Sequence, residues 1–385
     1  MSLLGIVRRG VRLLVLLAVI LAAGRFVALA FLDQSATARA LIWLAPDSTD
    51  HEKFPSRAID ASYRPLPLPT PENTDPSLAG LTIDGVPLDG YLASHDSTAF
   101  LLSRGEQLIF EGYYNDGSRE QPQASFLLAL AFTSTLVGQA VAEGLIDPDD
   151  TVVSHLPEYG QADPRLQALT IRHLLTMASG LDYRARNLPW SDDAAAYYSP
   201  DLRQTAMSAR YVRPPGTRFH FNLFNPLLLG MVLERATGLE VAGYLQDRLW
   251  QPMGAEGAAS WNLDSEVSGF ERMHSGLNAR AVDILKLGIL LAQEGRIGRR
   301  AILDPAWVAE SSRADTSLDP SPQYQFFWWV FPETGRFGAV GDYGQVLYVD
   351  PERDLVALRM GHGNGGLDRM EWVAVMDQVM DALSQ

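Results

Sequence analysis

Ser125-Phe126-Leu127-Leu128-Ala129-Leu130-Ala131-Phe132-Thr133-Ser134-Thr135-Leu136-Val137-Gly138 is an apolar stretch that reads as a helix. Residues three apart on a helix share a face. A serine followed at plus three by a lysine therefore places an amine within reach of the hydroxyl it must deprotonate. Here that arrangement is missing in every register. Ser125 is followed at plus three by Leu128, and Ser134 by Val137. The chain holds two lysines, Lys53 and Lys286, and the residue three before Lys286 is Asp283. No Ser-x-x-Lys exists anywhere in the protein.

The text around this stretch nevertheless resembles the nucleophile helix of the serine β-lactamase and penicillin-binding-protein-like hydrolases. That group holds class C β-lactamases, esterases and 6-aminohexanoate-dimer hydrolases. The frame set by Phe132-Thr133-Ser134 and Leu136-Val137-Gly138 puts the family's serine position at Leu127 and its lysine position at Leu130. The second motif of the group, Tyr-x-Ser or Tyr-x-Asn, has its counterpart in Phe219-His220-Phe221-Asn222-Leu223-Phe224-Asn225. There Phe221 takes the tyrosine position and Leu223 the serine or asparagine position. One frame away, Asn222 or Asn225 still offers an amide. The third motif, Lys-Thr-Gly or His-x-Gly, falls at Gly341-Asp342-Tyr343-Gly344-Gln345, with an acid, Asp342, where a base or cation is expected.

The resemblance extends over roughly residues 80 to 385 and includes further landmarks. These are Thr170 to Leu181, Ser275-Gly276-Leu277 leading to Asp283, Trp328-Trp329, and Tyr348-Val349-Asp350-Pro351-Glu352. Each is short, and their order and spacing carry the match. It implies an α+β fold, an antiparallel sheet flanked by helices with a mostly helical insertion at about residues 145 to 320. With leucine at positions 127 and 130, it also implies a degenerate catalytic site. Burying a leucine contributes roughly 1.5 to 3 kcal/mol, so these replacements are expected to stabilise the fold, either as a filled core or as an apolar pocket for a lipid or a partner side chain.

Other chemistries find little support. The seven histidines include no His-x-x-x-His pair, and no metal or cofactor is expected. His173 sits in a leucine-rich helix as a packing or capping residue, and His220 borders the old site. No Gly-x-Ser-x-Gly elbow marks a relocated serine, although the partners of a catalytic triad meet only in the fold.

At the N-terminus, Arg8, Arg9 and Arg12 precede Leu13 to Leu32, an apolar run broken only by Arg25. At a 1.5 Å rise it spans roughly 30 Å, enough for a bilayer core. Basic residues before it and Asp33 after it place residues 1–12 in the cytoplasm and the main domain on the periplasmic or extracellular side. The rival reading is a cleaved signal peptide with its apolar region at Leu13 to Ala23 and a processing site at Ala28-Leu29-Ala30. Arg25 lies about 18 Å into the segment, where it would snorkel or meet an acidic or carbonyl partner on another helix or a lipid phosphate.

Residues 33–79 read as a linker. Leu41-Ile42-Trp43-Leu44 suits a membrane interface, and Pro65-Leu66-Pro67-Leu68-Pro69-Thr70-Pro71 a stiff extended spacer. Residues 80–385 form one domain, with 47% hydrophobic and 20% charged residues overall. Thr98 to Leu102 and Gln107 to Glu111, turning at Arg104-Gly105-Glu106, predict a hairpin. Phe326 to Val330, Gln345 to Val349 and Leu355 to Met360 predict further strands, and Leu367 to Leu383 a closing helix.

A net charge of −15 with no basic run beyond the N-terminus argues against nucleic acid or an anionic lipid surface as a partner of the soluble part. The absence of cysteine removes disulfide and thiol chemistry. The sequence thus describes a membrane-anchored pseudoenzyme of the β-lactamase group, expected to serve as a subunit beside a membrane-protein partner. The alternatives are a hydrolase acting through other residues, and a protein that binds a lipid or cell-wall fragment in the apolar site.

Overall fold

The computed structural model describes residues 3–32, 34–73, 75–78, 80–314, 321 and 323–383; Asp33 lies outside them. At its centre is a seven-stranded antiparallel sheet. Its strands run in the order Tyr324–Gln325, Trp328–Phe331, Arg336–Val340, Val346–Asp350, Leu355–Gly361, Ser97–Arg104 and Gln107–Tyr113. The two ends of the domain sequence therefore meet in one sheet, with Leu358 paired to both Leu347 and Leu101.

Side chains alternate across a strand, and both faces here are covered. Leu101, Leu347, Val349, Val356 and Leu358 face one core together with the helix Ala281–Ala292. Phe100, Leu102, Val346, Tyr348 and Ala357 face a second core with the closing helix. That helix, Arg369–Ala382, starts at Asp368, whose carboxylate accepts the Met370 and Glu371 N–H groups while Glu371 reaches back, forming a capping box.

The expected hairpin is present, with Gly105 at φ 56° in the turn. One expected strand is displaced. Phe326 and Phe327 have φ of 45° and 69°, so they form the turn between Tyr324–Gln325 and Trp328–Phe331. The region between residues 145 and 320 is also more than helical. Ala259–Asn262 and Leu277–Ala279 join Ser56–Ile59 and Gln123–Ala124 in a second, four-stranded sheet. Strands of two to four residues are too short for a periodic signal to reveal them.

The helix Leu3–Ala30 stands apart from the domain, with its 21-residue apolar portion Gly10–Ala30 almost wholly exposed. It is long and apolar enough to cross a membrane, and at its position a signal sequence would have the same character.

The stretch read as a free linker is instead packed onto the domain. Ser35 caps the helix Ala36–Trp43. Arg39 on that helix donates to the Leu32 carbonyl at 3.1 Å and to the Asp264 carbonyl at 2.6 Å. Trp43 and Phe54 meet edge to face, and the Arg272 guanidinium lies 3.6 Å from the Phe54 ring centroid. Further on, Leu68 is buried in the main core, and Leu66 N–H donates to the Gly254 carbonyl at 2.9 Å. A Cβ at Gly254 would stand 2.6 Å from that of Leu66, so the glycine permits this close approach. The proline-rich segment is stiff, as its composition implies, but it lies along the domain's own surface.

Candidate functional site

The apolar stretch around Leu127 begins at the end of the short strand Gln123–Ala124, where Ser125 N–H donates to the Leu277 carbonyl. A single tight turn, Phe126–Leu128, leads into the helix Ala129–Ala142. Phe126 takes φ 46°, a left-handed conformation that a bulky residue adopts only under strong constraint. The helix runs through the core: every residue from Ala129 to Ala140 is buried, as are Leu127 and Leu130. Packing, not capping, holds its start, because no side chain caps it.

The three stretches singled out in the sequence converge here. A Cβ placed on Gly341 would lie 3.3 Å from that of Leu127, so this leucine meets the end of the strand Arg336–Val340. Asp342, half exposed, forms an ion pair with Arg369. The Arg369 guanidinium in turn lies 5.7 Å from the ring centroid of Phe221. Phe221 also meets Tyr324 edge to face at 6.2 Å. Phe221 and Leu223 are partly buried and pack against the same core that holds Leu127 and Leu130. The cluster is thus apolar on the helix side, with its one acid neutralised by an arginine.

Both neighbouring asparagines are fully buried. The Asn222 amide is bonded at both ends, accepting from Phe224 N–H at 2.9 Å and donating to the Leu181 carbonyl. Asn225 donates through Nδ2 to the Leu174 carbonyl at 3.2 Å and leaves Oδ1 without a partner. The Tyr324 hydroxyl is buried without a hydrogen-bond partner, and burial pushes its pKa far above the ordinary phenol value, with Arg369 opposing. It is a poor proton carrier at neutral pH.

Tyr343, which sequence reasoning passed over, shapes the mouth of this cluster. It holds φ 60°. Three contacts fix it there. Its ring lies 4.4 Å from that of Phe126, its hydroxyl donates to the Pro46 carbonyl at 2.5 Å, and its own carbonyl accepts from Arg359 at 2.9 Å. Arg359 is itself buried, and burial pushes its pKa down to about 9. The segment arriving from the N-terminal helix is therefore tied directly to the loop carrying Asp342.

The histidines divide clearly. His173 caps the helix Ile171–Leu175 in a box with Thr170. His220 packs against Tyr183, and burial, then Arg213 and Arg218, lower its pKa. His274 is fully buried with neither ring nitrogen partnered, and burial with the Arg272 charge pushes its pKa down to about 3. A serine hydroxyl does meet an imidazole at Ser48 and His362, 2.7 Å apart. His362 Nε2 faces the Asn115 carbonyl at 3.1 Å. That contact fixes the proton on Nε2 and leaves Nδ1 to accept from Ser48. No group of three or more His, Asp or Glu side chains suited to a metal ion occurs among the described residues. Arg25 is exposed on the N-terminal helix and makes no side-chain hydrogen bond, ion pair or ring contact among the described residues.

A sheet built from both ends of the domain sequence, helices on each face, and a core helix starting beneath the end of one strand define the class. The chain belongs to the Beta-lactamase family, whose model matches residues 99–379. It is 24% identical over 287 residues to a 6-aminohexanoate-dimer hydrolase of Paenarthrobacter ureafaciens, covering 68% of this chain and 71% of that protein. Among solved structures, one from Bacillus anthracis described as a 6-aminohexanoate-dimer hydrolase superposes with a TM-score of 0.75 at 22% identity. The match covers 87% of this chain and 92% of that one. A penicillin-binding protein from Bacillus halodurans gives a TM-score of 0.59 at 17% identity, over 74% and 97% of the two chains.

Proposed function

We propose that this chain is a membrane-anchored member of the Beta-lactamase family that no longer catalyses hydrolysis and acts as a structural or interacting subunit beside a membrane-protein partner. The observation that carries the reading is the pair Leu127 and Leu130. They stand one helical turn apart at the head of the core helix and are packed in the interior, and Leu127 abuts the strand end at Gly341. Neither side chain has a proton to give or accept. Phe221 in place of a phenol, and Asp342 paired with Arg369, extend the same pattern. The N-terminal helix serves as the anchor with its N-terminus in the cytoplasm, and Arg25 is the point at which a partner helix or lipid phosphate engages it.

A second reading rests on one contact. Ser48 and His362 have the hydroxyl-to-imidazole geometry of an activated serine, with the Asn115 carbonyl orienting the ring. A fluorophosphonate probe on the full-length protein in mild detergent separates the two. No labelling, together with a stoichiometric membrane-protein partner on native purification, is the expected result. Stoichiometric labelling would overturn the silent-subunit reading, and a modified peptide containing Ser48 would establish the second. Joint replacement Leu127→Ser, Leu130→Lys and Phe221→Tyr is expected to bring back measurable ester hydrolysis, because the strand end at Gly341 still meets position 127.

A further inference from the structure

A cavity of about 580 Å³, with Phe224 in its wall, is lined among others by Arg184, Arg186, Arg210, Leu188 and Trp190. Three guanidiniums there stand against two carboxylates, Asp182 and Asp192, and both acids are already engaged. Asp182 pairs with Arg184 at 3.2 Å, and Asp192 accepts the Arg184 backbone N–H at 2.7 Å. Arg186 and Arg210 have no ion pair and no side-chain hydrogen bond among the described residues. At the rim, Trp190 is 69% exposed and Leu188 38%. An unpartnered pair of cations beside an exposed indole has the chemistry of an amphiphile site, with an anion at one end and an apolar surface at the other.

The position of this cavity in the fold says which amphiphile it meets. Ser191, the next residue after Trp190, caps the helix Asp192–Tyr198. Ala194 and Tyr198 on that helix share an apolar cluster with Ala40 and Phe54, against which Ala36 and Trp43 also pack. Arg39, on the same helix as Ala36 and Trp43, is bonded to the Leu32 carbonyl at the end of the N-terminal helix and to the Tyr198 carbonyl. Trp190 stands just before the start of the helix Asp192–Tyr198, and Ala194 lies in its first turn. The outward side of Ala36–Trp43 and its end adds Leu41 and Leu44, both exposed. The cavity therefore lies at the start of a helix that packs against the segment following the N-terminal helix.

We propose that this cavity is a phospholipid-headgroup site. Arg186 and Arg210 hold the phosphate, and Trp190 with Leu188 sits in the interfacial layer of the bilayer that anchors the chain. The proposal rests on the anchoring reading given above. A tryptophan beside arginines is suited to the headgroup level, where the indole has apolar and wet neighbours and a guanidinium makes paired bonds to phosphate oxygens. The overall charge of −15 opposes general adsorption to an anionic surface. The site therefore acts by local geometry, and a zwitterionic phosphatidylcholine headgroup satisfies it. With the helix end and the cavity both engaged, the domain is held at two points in a fixed orientation to the membrane.

The test uses the full-length chain reconstituted in phosphatidylcholine vesicles whose acyl chains carry bromine near the headgroup. The chain has eight tryptophans, so wild type is expected to lose up to about one part in eight more emission than Trp190→Phe. Phenylglyoxal modification of Arg186 and Arg210, read by mass spectrometry, is expected to fall several-fold in vesicles relative to maltoside detergent. Equal quenching of wild type and Trp190→Phe, in a chain that resists alkaline carbonate extraction, would overturn the headgroup site while leaving the anchor standing. Release of the chain by carbonate would overturn the anchor and the proposal together. Equal protection of the two arginines by inorganic phosphate in detergent would assign the cavity to a soluble anion and overturn the lipid.

Discussion

The core helix around Leu130 and the helix around Lys286 solve the problem of a buried position in opposite ways. Lys286 is completely buried, yet its ammonium donates to the Gly254 carbonyl at 3.0 Å and to Glu256 and Asp283 at 3.1 Å each. All three of its protons are used. Asp283 in turn accepts the Glu256 and Gly257 N–H groups. At Glu256, burial opposes ionisation, but the Leu68 N–H and the Lys286 charge outweigh it and hold the carboxyl below its usual range. Leu130 occupies an equally buried position with apolar neighbours and carries no charge. The difference teaches that this chain keeps a buried cation where the surrounding backbone and carboxylates satisfy it completely, and an uncharged side chain where the neighbours are apolar.

The largest way to break that comparison is Lys286→Met. It leaves the buried Asp283 without a counter-ion and Glu256 with Arg119 alone, at 3.4 Å, and we expect a loss of about 3–5 kcal/mol in chemical denaturation. A loss under about 1 kcal/mol would mean that the cluster relaxes or takes up protons, and that full satisfaction is not what keeps Lys286 in place. Next comes Leu130→Ala, expected to destabilise by about 2–4 kcal/mol through the cavity it leaves. If that variant were neutral, the leucine would not be part of a filled core, and an apolar ligand pocket would become the better account of positions 127 and 130.

His274 sharpens the contrast with a third solution, since it is buried without a partner and stays neutral. Its folded pKa of about 3 lies below the ordinary value near 6.5. The unfolded chain therefore binds a proton that the folded chain refuses as pH falls below about 6.5, and stability drops with pH down to about 3. His173 and His220, also lowered chiefly by burial, act in the same direction. The slope attributable to His274 approaches about 1 kcal/mol per pH unit in that window. Denaturation curves of wild type and His274→Phe between pH 7 and pH 4 should diverge accordingly. Parallel curves would show that the buried imidazole takes up its proton in the folded state.

Much of this was legible in the sequence because the signals were local. The hairpin is marked by its turn at Arg104-Gly105-Glu106, and the strands Val346–Asp350 and Leu355–Gly361 by short, largely apolar runs. Leu127, Leu130, Phe221 and Asp342 could be picked out by frame alone, and the fold brings them into one cluster. What stayed hidden depended on contacts distant in the chain. The four-stranded sheet is built from short strands far apart in sequence. The docking of residues 36–72 rests on Arg39, Phe54 and Leu68 finding partners about 160 to 225 residues away. A proline run specifies stiffness and says nothing of what lies beneath it. Tyr343 was missed because a left-handed tyrosine has no sequence signature.

The smallest expected effect concerns that residue, and it tests whether the Leu127 cluster and the segment following the N-terminal helix are mechanically joined. Tyr343→Phe keeps the ring against Phe126 and the carbonyl on Arg359 but removes the hydroxyl that reaches Pro46. One hydrogen bond contributes about 1 kcal/mol net, so global stability should fall by about that much or less. The informative readout is local. Residues 44–50 are also held by the Tyr198 hydroxyl on the Leu44 carbonyl, the Ser48–His362 contact and the Tyr197 hydroxyl on Asp50. If these ties act as one unit, amide exchange in this segment should accelerate together on loss of the Pro46 bond, while the helix Ala129–Ala142 stays protected. Acceleration confined to residues next to Pro46 would show instead that each tie holds separately. The segment from the N-terminal helix would then rest on the loop carrying Asp342 without restraining it.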